Sequence, residues 1–339
     1  MQYRLMSTDA LKPSVIGFGG WPMGGTQYGA TRDDEVTRAI QRALDAGVNL
    51  FDTAAGYGLG HSEELLGRAL GGRWHAAIVV TKCGISYDAE AKVFRSDSRP
   101  ASIQAACEAS LRRLGTERID IFMIHWPDYA TPIDATMRAL ESLVQAGKIR
   151  FVGVSNFSPE WMTAARAVHP IVTNQVGYHM FDRRREVDVI PYCRTHAIGI
   201  MAYGSLAHGV LTGALSPATV FATNDWRSGG YAFGLPLFHP DHFAPNLAAV
   251  DRLRALATKA GLTLPQLALR WVLREAAVSV ALVGCRTADE VDAAVAAANA
   301  TVGDELLAEA DAITEEAYLR MRRDERPSED VGPRPLTSN

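Results

Sequence analysis

Four polar side chains of complementary type stand just past short apolar runs. Asp52 follows Asn49–Phe51, Lys82 follows Ala77–Thr81, and His125 follows Ile119–Ile124, while Tyr57 lies five residues beyond Asp52 in the Gly-flanked stretch Ala55-Gly56-Tyr57-Gly58. Taken singly, each has a plain explanation: a turn-forming carboxylate, a surface tyrosine, a satisfied structural histidine. As a set they could do proton chemistry. A lysine at a buried strand end needs a counter-charge, because an unpaired ammonium in low dielectric is costly, and Asp52 is the natural partner. A free phenol, with a pKa near 10, is a weak proton donor at neutral pH. A neighbouring ammonium is expected to lower that value. A neutral His125 could orient a substrate oxygen. Such a site can protonate an oxygen that becomes negative as hydride reaches its carbon, which calls for a hydride-carrying cofactor.

The elements that would bring these residues together alternate along the chain. Strand-like runs are expected at Ser14–Phe18, Asn49–Phe51, Ala77–Thr81, Ile119–Ile124, Arg150–Val154, Ile171–Asn174, Gly199–Tyr203 and Ser279–Val283, with amphipathic stretches between them. In Asp33–Ala46 the apolar Val36, Ile40, Ala43 and Leu44 share a helical face, acidic residues fill the first turn, and Gly47 supplies a stop. Thr131 is expected to cap a helix opened by Pro132, with Met137, Leu140, Leu143 and Val144 turned inward. Ser158-Pro159 opens another. Alternating strands and helices imply a parallel sheet. Closed into a barrel, that sheet would gather its strand ends at one mouth, where loops carry an active site.

One segment breaks the rhythm. Residues Leu206–Asn246 are rich in Gly, Pro, aromatics and His without a clear period, as expected of a functional loop or lid. Helices are expected again at Leu247–Ala260 and Leu264–Ala276. Within and beside the loop, His208, His239 and His242 lack metal-ligand spacing and are read as solvated. After Ala317 the chain is polar and Pro-containing, and residues 319–339 are read as a mobile tail beyond a single domain at 1–318.

Composition narrows the class. With 339 residues, 47% hydrophobic, and a net charge of -4, the chain suits a globular protein and lacks the basic excess of a nucleic-acid binder. No apolar run reaches the roughly 20 residues of a membrane span, and the first residues lack a signal-peptide core. Four scattered cysteines form no CxxC pair, which suits a reducing compartment; a cytoplasmic location is expected. Gly17-Phe18-Gly19-Gly20-Trp21-Pro22 places proline where a Rossmann fingerprint needs a small residue, so a dinucleotide would be bound some other way.

Three segments carry a family resemblance. They are Phe51-Asp52-Thr53-Ala54-Ala55-Gly56-Tyr57-Gly58; Ser110-Leu111-Arg112-Arg113-Leu114-Gly115 with Asp120 and His125-Trp126-Pro127-Asp128; and Gly147-Lys148-Ile149-Arg150 leading into Gly153-Val154-Ser155-Asn156-Phe157. From Gln2 to Ala317 the chain resembles the aldo-keto reductases. The resemblance implies an α/β fold, a (β/α)8 TIM barrel with a long loop after strand 7. It implies that Asp52, Tyr57, Lys82 and His125 form the catalytic tetrad, and that NADPH lies extended across the mouth, with NADH an open alternative. Gly20, Trp21 and Asp52 would border the cofactor. Ser155, Asn156 and Gln175 would hold its carboxamide, and Tyr203 would stack on its ring. Ser205, Leu206, Gly209 and Leu211 would line the pyrophosphate, with Gly284, Arg286 and Glu290 at the adenosine end. Trp21, Trp126 and Phe157 would wall the substrate pocket, although both tryptophans could equally be core aromatics.

The chain departs from the family in reading Gly204-Ser205 where Ser-Pro is usual, and Glu290 where some members carry a basic residue; Arg286 could replace that charge. The expected partner is a small carbonyl compound or sugar, without nucleic acid, membrane or metal. Two alternatives stand beside reduction: sugar oxidation at C1, and an NADPH-binding redox-sensing subunit. Such subunits carry an N-terminal extension, which is not expected here because the first strand is expected to begin at Ser14.

Overall fold

The structure, a computed structural model, describes residues 1–7, 11–25, 27–90 and 93–326. Eight of its strands form a closed parallel barrel: β1 (Ile16–Gly19), β2 (Leu50–Asp52), β3 (Ile78–Cys83), β6 (Ile119–Ile124), β7 (Ile149–Ser155), β8 (Thr173–Gly177), β9 (Gly199–Tyr203) and β10 (Val278–Val283). Strands β4 (Ile85–Asp88) and β5 (Val93–Ser96) form an antiparallel hairpin directly after β3. Barrel order follows chain order, and β1 closes the ring by pairing with both β2 and β10. All eight expected strands are present, displaced at their ends by no more than a few residues.

Helices α1 (Asp33–Asp45), α2 (His61–Leu70), α3 (Pro100–Leu114), α4 (Ile133–Gln145), α5 (Pro159–Arg166), α6 (Val189–Thr195), α7 (Pro240–Lys259), α8 (Leu264–Leu273), α9 (Ala288–Asn299) and α10 (Asp304–Arg323) surround it. Their apolar faces meet the outward side chains of the strands. On α1, for example, Val36, Ala39, Ile40, Ala43 and Leu44 are buried. A second, smaller core fills the barrel itself, with Leu50, Val80, Ile121, Met123, Val172, Met201, Val280 and Leu282 joined by Met6 and Leu11. The N-terminal chain supplies these last two. The Met6 N–H donates to the Leu11 carbonyl at 2.9 Å, and both side chains pack into the barrel.

Several local expectations are corrected. Thr131 does not cap α4: its hydroxyl donates instead to Asp128 (2.7 Å), which also accepts the Ser98 amide, and Pro132 holds the cap position without a side-chain bond. Ser158 does cap α5, accepting the Trp161 amide. The excursion after β9 is less irregular than expected. It contains 3-10 turns at Ala207–Thr212 and Trp226–Gly229, and α7 begins at Pro240, well before Leu247, with Pro245 inside its early turns. Two prolines within six residues hid the helical period. Helix α8 stops at Leu273, short of Ala276. The proposed boundary at 318 falls within α10, which runs to Arg323 with Met321 buried; residues 327–339 of the expected tail lie outside the described residues.

Candidate active site

The mouth is formed by the C-terminal ends of the strands. Asp52 ends β2, Lys82 is the penultimate residue of β3, and His125 follows β6, its amide donating to the Cys83 carbonyl at 2.8 Å. Tyr57 enters from a tight turn between β2 and α2 that needs three successive left-handed residues, Gly58 (φ 61°), Leu59 (54°) and Gly60 (100°). Backbones approach closely here: a Cβ on Gly58 would lie 2.5 Å from the Gly24 carbonyl oxygen, so both positions must be glycine for the Tyr57 turn to pack on the loop after β1.

The four expected residues converge. Lys82 Nζ lies 2.8 Å from each Asp52 carboxylate oxygen, 2.8 Å from the Thr53 carbonyl and 3.2 Å from the Tyr57 hydroxyl. Because the ammonium donates to the phenol oxygen, the phenol hydrogen is free to point elsewhere. The His125 ring stands edge-on to Tyr57, with centroids 5.7 Å apart. Asp52 and Lys82 are both buried. Burial pulls each toward its neutral form, and the opposite charge of the partner pulls it back.

Burial, together with Asp52, holds the Tyr57 phenol well above its ordinary value. The expectation that lysine would lower it is not met: loss of hydration and the Asp52 charge set the direction. The phenol therefore keeps its proton at neutral pH, as a donor must. Burial, reinforced by the charge of Lys82, holds His125 well below its ordinary value, so the imidazole is neutral.

A chain of hydrogen bonds leads away from this cluster. Gln175 Nε2 donates to Asp52 Oδ1 (2.7 Å), and Ser155 Oγ donates to the Gln175 carbonyl (2.9 Å). Asn156 Nδ2 donates to Ser155 Oγ (3.0 Å), and the Tyr203 hydroxyl donates to Asn156 Oδ1 (3.0 Å). Asn156 holds a left-handed backbone (φ 61°), a strained state that clusters at functional positions.

A cavity of about 530 Å³ opens above these residues. From the tetrad side it passes Tyr203, Gly204, Ser205, Leu206 and Gly209 and ends at Gly284, Arg286 and Glu290. Arg286 and Glu290 lie at the rim, with Arg286 Nη2 3.5 Å from Glu290 Oε1 and the Arg286 amide donating to Glu290 Oε2 (2.7 Å). Trp21 and Trp126 line the cavity. Lys82 lies beneath the lining, and three of the residues expected to touch cofactor or substrate do not reach it. Phe157 (1% exposed) packs edge-on against Trp161 in the core, and Leu211 (0%) is likewise internal. Gly20 sits behind Asp52, where a Cβ would come within 2.4 Å of the Asp52 carbonyl oxygen.

Other lining residues had no individual sequence signal. Ile85 and Phe94 come from the β4–β5 hairpin, and Tyr28, Trp226 and Phe233 from loops. Trp226 stacks on Trp21 at 5.3 Å, and Phe233 lies between Tyr203 (5.1 Å) and Trp126 (6.0 Å). The aromatic density of the 206–246 excursion was their only trace. His208, expected to be solvated, is 7% exposed and lines the cavity, 3.3 Å from the Tyr28 hydroxyl; His242 is also buried, against Asp324.

A closed (β/α)8 barrel with its polar cluster at the strand C-termini defines the architectural class. Within that class, residues 15–315 match the model of the aldo/keto reductase family. The chain is 38% identical over 296 residues to aldo-keto reductase YhdN of Bacillus subtilis, covering 86% of this chain and 87% of that protein. Among solved structures it is similar to the glycerol dehydrogenase AKR11B4 from Gluconobacter oxydans, with TM-score 0.84, 41% identity and coverage of 93% and 95% of the two chains. It is also similar to the holo form of aldo-keto reductase AKR11C1 from Bacillus halodurans, with TM-score 0.75, 28% identity and coverage of 94% and 96%. The chain belongs to the aldo/keto reductase family of oxidoreductases.

Proposed function

We propose that this protein reduces an aldehyde or ketone to the alcohol with NADPH, and that Tyr57 gives the proton. The observation that carries this reading is the single point of convergence: the Tyr57 hydroxyl accepts from Lys82 at 3.2 Å, the ammonium is held by both Asp52 oxygens, and neutral His125 lies alongside. A long cleft bordered by Gly204, Gly209 and Gly284, with an aromatic ring at one end and a guanidinium at the other, has the form an extended dinucleotide needs. Tyr203, Ser155 and Asn156 would hold the nicotinamide end, Ser205, Leu206 and Gly209 the pyrophosphate, and Arg286 the 2′-phosphate. Among the described residues, the buried Nδ1 of His125 has no hydrogen-bond partner.

When bound, NADPH supplies the hydride. The protein's part is to hold the carbonyl oxygen against the Tyr57 hydroxyl and the His125 ring, so that the phenol proton passes to that oxygen as negative charge develops on it. Lys82 then steadies the phenolate it faces, and Asp52 keeps Lys82 charged. Rings of Trp21, Trp126, Trp226 and Phe233 exclude water from the pocket.

The reverse direction, oxidation of an alcohol or sugar, uses the same groups, and the likeness to a glycerol dehydrogenase favours testing it. A panel of aldehydes and ketones with NADPH or NADH, and of polyols and sugars with the oxidised cofactors, is followed by nicotinamide absorbance. Turnover of carbonyl compounds with NADPH is expected. Tight NADPH binding without turnover of any compound would instead favour a redox-sensing subunit.

A further inference from the structure

Behind the tetrad lies a second buried carboxylate. Glu63, in the first turn of α2, is 0% exposed. Its Oε1 accepts the Thr81 hydroxyl at 2.6 Å, and its Oε2 accepts Arg113 Nε of α3 at 2.6 Å. Thr81 immediately precedes Lys82. The adjacent Ser62 makes a parallel contact with Thr53, which immediately follows Asp52 (2.8 Å). The head of α2 therefore grips both strands that carry the ion pair. The same helix begins where the strained Tyr57 turn ends, and Arg113 packs on that turn so tightly that a Cβ on Gly60 would lie 2.5 Å from its Cδ.

From this we propose that Glu63 is a positioning residue: it locks the Tyr57 turn to β3 so that the Lys82 ammonium stays against the phenol. The proposal rests on the reading of Tyr57 as proton donor. Two effects combine. Geometrically, one carboxylate ties the Lys82 strand and the Arg113 side chain to the helix that follows Tyr57. Electrostatically, the negative charge of Glu63 adds to that of Asp52 in favouring charged Lys82. The charged and titratable groups facing Lys82 are Asp52, Tyr57, His125 and Glu63; Glu63 itself faces Arg113.

The test is Glu63→Gln, which keeps the shape but removes the charge. Per folded molecule, kcat is expected to fall about tenfold, with KM and NADPH affinity within about twofold. Removing a negative charge lets Lys82 lose its proton at lower pH, so the alkaline limb of kcat should move to lower pH. A purely structural role would lower Tm and leave that limb in place. An unmoved limb with kcat within twofold overturns the proposal. If Glu63→Gln does not fold, Thr81→Val, which cuts only the tie to β3, decides in its place: a several-fold fall in kcat supports the proposal and an unchanged kcat overturns it. Tyr57→Phe is measured alongside. Full turnover there overturns the donor reading and this proposal together, whereas an inactive Tyr57→Phe beside a normal Glu63→Gln overturns this proposal alone.

Discussion

Lys82 carries three N–H bonds and has four oxygen acceptors within 3.2 Å. That saturation fixes the ammonium, and with it the direction from which Tyr57 is approached. At the far end of the cleft the charge is less committed: Arg286 is partly exposed and its pairing with Glu290, at 3.5 Å, is long. A guanidinium so placed can turn to a phosphate, which offers bidentate geometry. Arg286→Ala is therefore expected to weaken NADPH by about tenfold or more while changing NADH by less than about threefold, measured as Kd by fluorescence titration. Equal weakening of both would move 2′-phosphate recognition to another residue.

At the scale of elements, the site depends on loops whose backbones touch. A Cβ on Gly24 would lie 2.6 Å from the Gly58 nitrogen, against the turn that presents Tyr57. Gly24→Ala should push that turn away from Lys82 and lower kcat by about tenfold or more, with Tm falling by only a few degrees. Unchanged kcat would mean that the turn is not held by this contact. The same loops show where sequence reading stops. The eight strands, and the meeting of Asp52, Lys82 and His125 at their ends, were legible because apolar runs end in polar residues at regular intervals. Segments whose structure depends on distant partners were not: Thr131 is claimed by Asp128, prolines break the period of α7, and Trp226 and Phe233 reach the site only through the path of the chain between β9 and α7. Phe157, two residues beyond β7 in a segment that carries the resemblance, turned out to face the core.

Across the whole molecule, buried neutral histidines link stability to pH. Burial depresses His125, His208 and His179, the last to about 4 from 6.5. An unfolded chain protonates these rings near pH 6.5, whereas the folded chain resists until lower pH. Their contribution is therefore complete above 6.5 and is lost as pH falls, for His179 over the window down to about 4. For that residue the loss is at most about 3 kcal/mol. Urea unfolding across that range should show a shallower pH dependence in His179→Asn than in the parent; identical slopes would contradict the assignment. On the proposed reading of Tyr57 as proton donor, the barrel holds one phenol where it can release its proton. The most direct test is Tyr57→Phe, with NADPH binding and steady-state carbonyl reduction measured on the same preparation. Cofactor affinity is expected to be unchanged, within about twofold, and kcat to fall at least about a thousandfold. A variant that binds NADPH and still turns over at near the parent rate would contradict the donor reading.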